Sequence, residues 1–282
     1  MNVFSTKDNP KFPYPLTQTL YNKKTSREKP YVWAIGEEVK SYAICPACQN
    51  PTTLVNRHIA QTNATILYAK HTGHDVSGLA GHNQAAYLDC PFHNPERFDS
   101  KTRRSSTGRN NELREALRNH LHLVITTLEG AIGVRFSDTV VESMVQDFGG
   151  NCGYEYKAIN LYNLPFGFAY MTEAQDLHGC TVESEIADAI NTGSVGFETS
   201  RYSSVFRRCG VKGTKLRFYF NNHRLDESSV GKDSIDLVVV EIDVTSNESR
   251  ILFTKRVDFD CEKFFNTYMR RERFRLLAHR YF

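Results

Sequence analysis

Two short motifs constrain this chain more than anything else in it: Cys45-Pro-Ala-Cys48 and Cys90-Pro-Phe-His93. Two ligands separated by two residues sit on one tight turn, so both side chains can face a single point. A disulfide is strained across so short a loop, whereas a metal ion fits it. Proline follows each opening cysteine and fixes the backbone where the turn needs it. Facing each other, the two turns offer Cys45, Cys48, Cys90 and His93 as the corners of a tetrahedron, the geometry of bound zinc. Four protein ligands close the coordination shell and leave no position for an activated water, so the expected ion is structural Zn2+.

Residues 52–89 between the two turns are expected to fold as strands and a loop. That stretch holds His58, His82 and the run Lys70-His71-Thr72-Gly73-His74-Asp75. A second metal site there, or a histidine replacing one of the four ligands, is the alternative to the favoured reading of a polar, water-facing loop. Paired knuckles occur in many unrelated zinc modules, so they imply no single family.

The chain's 282 residues suit two modest domains or one large one. Its composition, 40% hydrophobic and 24% charged, is that of a globular protein able to build a core. The net charge of +3 sets up no global field toward nucleic acid or an acidic membrane, so such partners depend on local patches. No apolar run is long enough to span a bilayer, and Met1 to Pro15 lacks the apolar stretch of a signal peptide. Seven cysteines, an odd number, do not make a fully paired extracellular framework. The expected setting is the cytoplasm, with no membrane partner.

Four segments follow from the pattern. Residues 1–30, punctuated by Pro10, Pro13, Pro15 and Pro30, read as an extended arm. Residues 31–96 read as the zinc-binding module, with strands at 31–35, 41–44 and 65–69. Residues 97–111 read as a basic linker, and 112–282 as an α+β domain. In that last part Leu113, Leu117, Leu121, Val124 and Leu128 recur at helical spacing. Ser137 caps a second helix carrying Val140, Val141, Met144, Val145 and Phe148. A third helix starts near Thr181. Strands follow at Leu216–Phe220, at 235–244 (central, because it is apolar on both faces) and at Ile251–Val257, before a last helix beginning near Asp260. The fold class is α+β: a small β-rich zinc-binding module, a helical middle segment and a C-terminal antiparallel β-meander with a closing helix.

Nucleic-acid contact has two candidate patches. One is the linker, with Arg97, Lys101, Arg103, Arg104 and Arg109. The other is the C-terminal segment, where Arg270, Arg271, Arg273, Arg275 and Arg280 alternate with Phe274, His279, Tyr281 and Phe282. Arginine neutralises phosphates and aromatic rings stack on bases. The helix after Ser137 is no DNA-reading helix, since it carries Asp138, Glu142 and Asp147 and no basic residue.

The leading expectation is a non-catalytic, zinc-containing, nucleic-acid-associated protein, such as an accessory subunit of a nucleoprotein complex. The alternatives are a protein-interaction subunit without nucleic-acid contact, and a magnesium-dependent nuclease using Asp236, Glu241 and Asp243 with Lys255. Strand alternation sends Asp236 away from Glu241 and Asp243, which weakens the nuclease reading. Cys152, Cys180, Cys209 and Cys261 are expected as small buried hydrophobes.

Overall fold

The computed structural model describes residues 1, 3–36, 38–59, 64–93, 96–105, 107–226 and 232–282. The parts of the expected zinc module at 60–63 and 94–95, and residue 106 of the expected linker, lie outside the described residues. The described chain is mixed α+β, with antiparallel sheets, a helical middle segment and a C-terminal helix. It divides into two compact units. One holds residues 1–96 and 261–282, the other 97–226 and 232–260.

The first unit is built on a curled antiparallel sheet. Its strands are β1 (Val3–Thr6), β2 (Asn9–Pro15), β3 (Val32–Ile35), β4 (Glu38–Ile44), β5 (Pro51–Ile59) and β6 (Ala64–His71). Their order is β2-β1-β4-β5-β6, with β3 paired to β4. Met1 and Ala69 exchange backbone hydrogen bonds of 3.0 and 2.9 Å, which brings the start of β1 beside β6.

Helix α1 (Gln18–Thr25) is capped by the Thr17 hydroxyl, which accepts from the Leu20 amide. Its Tyr21 fills the core with Phe4, Tyr42, Ala43, Ile44 and Ala69. The Tyr21 hydroxyl lies 3.0 and 2.8 Å from the carbonyl oxygens of Tyr31 and Tyr42. Burial pushes its pKa up to about 12, so it stays a donor.

Residues 1–30, expected as an extended arm, therefore carry β1, β2 and α1. Of the prolines that suggested an arm, Pro10, Pro13 and Pro15 sit on β2, an edge strand, where a missing amide costs no ladder bond.

The short helix α2 (Gln84–Leu88) precedes the second cysteine turn. The second unit then starts with α3 (Thr107–Ile132), which bends at His120. The last residues of the expected linker are thus helical. β7 (Val134–Arg135) leads to α4 (Asp138–Gly150), whose first turn is capped by Ser137 as its sequence predicts. The aromatic stretch after it forms α5 (Leu164–Tyr170) and is buried through Leu164, Phe166 and Phe168.

Short pieces follow: β8 (Gln175–Asp176), β9 (Thr181–Val182), α6 (Ser184–Gly193), β10 (Phe197–Thr199) and β11 (Val205–Arg207). Thr181 lies in β9, so the third helix begins a few residues later than its pattern suggested. The meander is β12 (Thr214–Arg224), β13 (Ser234–Asp243) and β14 (Ser249–Asp258). The sheet runs β14-β13-β12-β8, and β13 is central and buried over most of its length. The closing helix α7 (Cys261–Tyr281) groups with the N-terminal residues and lies against β2.

One buried residue of the second unit gives it a pH dependence. His223 stacks on Phe98 (centroids 4.0 Å apart) with Phe259 beside the pair (5.5 Å from His223), and its Nδ1 accepts from the Phe98 amide at 2.8 Å. Burial, helped by the Arg97 charge, lowers its pKa from 6.5 to about 4. The unfolded chain therefore binds one more proton than the folded chain between those values. Stability from this group is complete above pH 6.5 and drains as the pH falls toward 4, by of order 3 kcal/mol. Urea melts of the wild type and of His223→Asn across that window test this. The substitution lowers stability at every pH through lost stacking, but its slope between pH 6.5 and 4 is shallower. An unchanged slope excludes His223 as the source.

Candidate metal centre

The first cysteine turn is the hairpin loop between β4 and β5. Cys45 follows the last residue of β4, and Gln49 takes a left-handed conformation (φ 59) that turns the chain back. The loop is closed by Gln49 N–H to Cys45 O (2.8 Å) and Cys45 N–H to Asn50 O (2.9 Å). Cys45 and Cys48 thus face inward, 0% and 7% exposed.

Cys90 arrives from the other side through a clamp between two asparagines. The fully buried Asn50 accepts from the Asn83 amide (2.6 Å) and donates to the Asn83 carbonyl (3.2 Å). Asn83 in turn caps α2 through the Ala86 amide. This fixes α2, and with it Cys90 two residues beyond the helix.

The fourth member comes from β6. The β5–β6 register pairs Thr52 with His71, which sets the last residue of β6 beside the hairpin loop. His71 Nε2 lies 3.3 Å from Cys48 Sγ and 3.5 Å from Cys90 Sγ, while Cys45 Sγ and Cys90 Sγ are 3.7 Å apart. All four ligand atoms of Cys45, Cys48, His71 and Cys90 lie within 4.8 Å of one another, close enough to hold one metal ion.

The electrostatics of these sulfurs are compatible with a bound cation. Hydrogen bonds from Cys45 and Cys90 pull the Cys48 thiol far below its ordinary range, with a further contribution from His71. Burial pushes Cys45 well up. The contact with Cys45 favours the Cys90 thiolate, yet the hydrogen bond Cys90 gives to Cys48, together with burial, lifts it to about 12. The protein dielectric thus tolerates one thiolate among three sulfurs, whereas a dication stabilises all of them.

His93, expected as the fourth ligand, is not in this group. Its amide bonds back to Cys90 O (3.0 Å), and its exposed ring stacks on Tyr87 with centroids 3.7 Å apart. It lies beside His71 at 5.9 Å between centroids. The expected set thus contributes Cys45, Cys48 and Cys90, and His71 takes the fourth position. Comparison with protein-family models, curated proteins and solved structures finds no match.

The basic residues fare unequally. Arg104, expected to meet phosphates, is only 8% exposed and is withdrawn from that role. Its guanidinium donates to the carbonyls of Lys157 (2.8 Å), Tyr156 (3.3 Å) and Ile159, and to Asn110 Oδ1 (3.2 Å). Arg103 binds the carbonyls of Asn151 (2.8 Å) and Cys152 (2.9 Å) and lies over the Tyr156 ring. Both arginines fasten residues 151–159 to the segment before α3. Arg97 and Lys101 are exposed, and Arg109 is half-buried in α3. On α7, Arg270, Arg271 and Arg273 are exposed, and Arg275 pairs with Glu272 at 2.6 Å.

The acids proposed for a nuclease are engaged elsewhere. Burial alone lifts the Glu241 carboxyl, but donors from Ser194, Val195, Gly196 and Arg250 bring it below its usual range. Asp236 takes a bidentate bond from Arg224 (2.6 and 2.7 Å), Asp243 caps the turn at Thr245, and Lys255 reaches Glu183. Of the scattered cysteines only Cys180 is buried; Cys209 is exposed, and Cys152 and Cys261 are intermediate. Among the described residues, no helix is long and apolar enough to cross a membrane.

Proposed function

We propose that this chain is a non-catalytic, nucleic-acid-associated protein. A structural zinc ion holds its N-terminal unit, and the exposed arginines of α7 supply its phosphate contact. The zinc assignment is supported by arithmetic. With Zn–S near 2.3 Å and Zn–N near 2.05 Å, a tetrahedron has S···S edges of about 3.8 Å and S···N edges of about 3.6 Å. The corresponding separations are 3.7 Å for Cys45–Cys90, and 3.3 and 3.5 Å from His71 to Cys48 and Cys90. Three thiolates and an imidazole are a soft set that suits zinc and excludes the oxygen-loving calcium and magnesium. A closed shell of protein ligands makes the ion a fastener, and the engagement of Asp236 and Glu241 by arginines and amides supports a non-catalytic reading.

The observation that carries the nucleic-acid reading is the second half of α7. Between Arg270 and Phe282 it has Arg270, Arg271, Arg273, Arg275 and Arg280 against the single acid Glu272. Arg270, Arg271, Arg273 and Arg280 are exposed there. Binding carried by phosphate contacts weakens steeply with salt. Fluorescence anisotropy with a labelled oligonucleotide between 50 and 200 mM salt is the measurement. Arg270→Ala/Arg271→Ala/Arg273→Ala is expected to lower affinity about tenfold or more and to reduce the log–log salt slope by about 2. Binding with no salt dependence, or a triple variant that matches the wild type, overturns the proposal.

A further inference from the structure

We propose that the second half of α7 takes single-stranded nucleic acid, with bases stacked on Phe274 and Tyr281 and phosphates held by the arginines beside those rings. This rests on the nucleic-acid reading above and narrows it to one class of ligand.

The helix has two apolar faces. Phe264, Phe265 and Tyr268 are buried, on a helix that groups with the first unit. Phe274, Leu277 and Tyr281, at i, i+3 and i+7, share another face. At 3.6 residues per turn it lies about 200° round the helix from the packed one. They are 49%, 44% and 72% exposed, so they add nothing to the core that α7 already serves. An exposed stripe of this kind on the far side of a packed helix marks a binding surface.

The surroundings of the rings define what binds. The guanidinium carbons of Arg270 and Arg273 each lie 5.4 Å from the Phe274 centroid, and that of Arg280 lies 5.9 Å from Tyr281. A ligand covering either ring must be flat and apolar where it touches, and anionic a few ångströms away. A nucleotide has both properties, with the base and the phosphate at fixed separation.

Duplex DNA is the poorer fit. It hides the faces of its bases in its own stack and shows polar edges in its grooves. Phe274, Leu277 and Tyr281 pressed against those edges desolvate donors and acceptors without replacing their hydrogen bonds. A single strand offers free base faces. The two rings are seven residues apart, about 10 Å along the helix axis, so each takes a different base.

The test uses the zinc-loaded 282-residue chain and fluorescence anisotropy at low salt, with labelled oligothymidylate and a mixed-sequence duplex of equal length. The expected result is at least tenfold tighter binding of the single strand. Phe274→Ala/Tyr281→Ala is expected to lower single-strand affinity at least tenfold while leaving duplex affinity and the salt slope near wild type. Phe274→Tyr/Tyr281→Phe keeps both rings and retains the affinity. Circular dichroism of each variant confirms that the helix is intact. Equal affinity for strand and duplex, or no loss in the double alanine variant, overturns the stacking and leaves the phosphate reading in place. Polyglutamate competing as well as oligothymidylate at equal charge shows a site for acidic polypeptide and overturns it as well. Binding of neither oligonucleotide removes the phosphate reading on which it rests.

Discussion

The purified chain carries one equivalent of zinc, and removing it unfolds the N-terminal unit. That is the result expected from elemental analysis of freshly purified protein, followed by dialysis against a strong chelator. Zinc binding by three thiolates and an imidazole is worth about 10 kcal/mol or more at neutral pH. A domain of this size rarely has more than 5–15 kcal/mol in total. Loss of the ion therefore leaves the hairpin loop, the end of β6 and the Cys90 turn held only by strand pairing and the Asn50–Asn83 clamp, although the Phe4–Tyr21–Tyr42 core remains apolar.

The substitutions separate the two candidate histidines. Cys45→Ser and Cys90→Ser abolish binding of the ion, and His71→Ala weakens it by at least a hundredfold. His93→Ala keeps one equivalent at near wild-type affinity, because its ring stacks on Tyr87 and does not point into the cluster. A His93→Ala protein that loses its zinc while His71→Ala retains it would falsify the assignment of the fourth ligand.

The second large effect is expected at Arg104. Arg104→Met keeps much of the aliphatic stem but removes the guanidinium donors to the carbonyls of Tyr156, Lys157 and Ile159, leaving Tyr156 O only the Ile159 amide. Acceptors that lose a charged partner inside the protein cost about 3–5 kcal/mol in all. The urea midpoint of the second unit should fall accordingly, and Arg104→Lys recovers only part of it, since an ammonium cannot reach three carbonyls in the plane of a guanidinium. A midpoint within experimental scatter of wild type would show that those carbonyls find water at no cost. Arg97→Ala, at an exposed position, is the control and changes stability by less than about 0.5 kcal/mol.

Arg104 also shows where sequence reasoning stops. A run of arginines among serines and threonines looks like a solvated linker because nothing local announces an inward turn. The carbonyl partners of Arg104 lie some fifty positions away, where irregular backbone near Tyr156 leaves them pointing inward. Likewise, Cys45, Cys48 and Cys90 were legible because the spacing inside a turn is local chemistry. A histidine of the run holding His71 was legible only as the alternative ligand, since His71 reaches the cluster through the pairing of two strands, and a sequence shows which residues prefer strands more readily than which residue faces which.

The helices α3 and α4 and the central β13 were visible in their periodicity. The strands of the first thirty residues were hidden by prolines that only an edge position tolerates. Asn50 and Asn83 gave no signal at all. Each is an ordinary polar residue until the two clasp, and only their mutual geometry shows that they aim Cys90.

The pairing of Thr52 with His71 has a consequence for how the chain assembles. Side chains alternate along a strand, so a slip of one position in the hairpin turns the imidazole to the opposite side of the sheet. A misaligned hairpin then offers three sulfurs and no nitrogen. On the zinc reading proposed above, ion capture rewards only the correctly zipped hairpin, which would make the metal a proofreader during folding as well as a rivet afterwards.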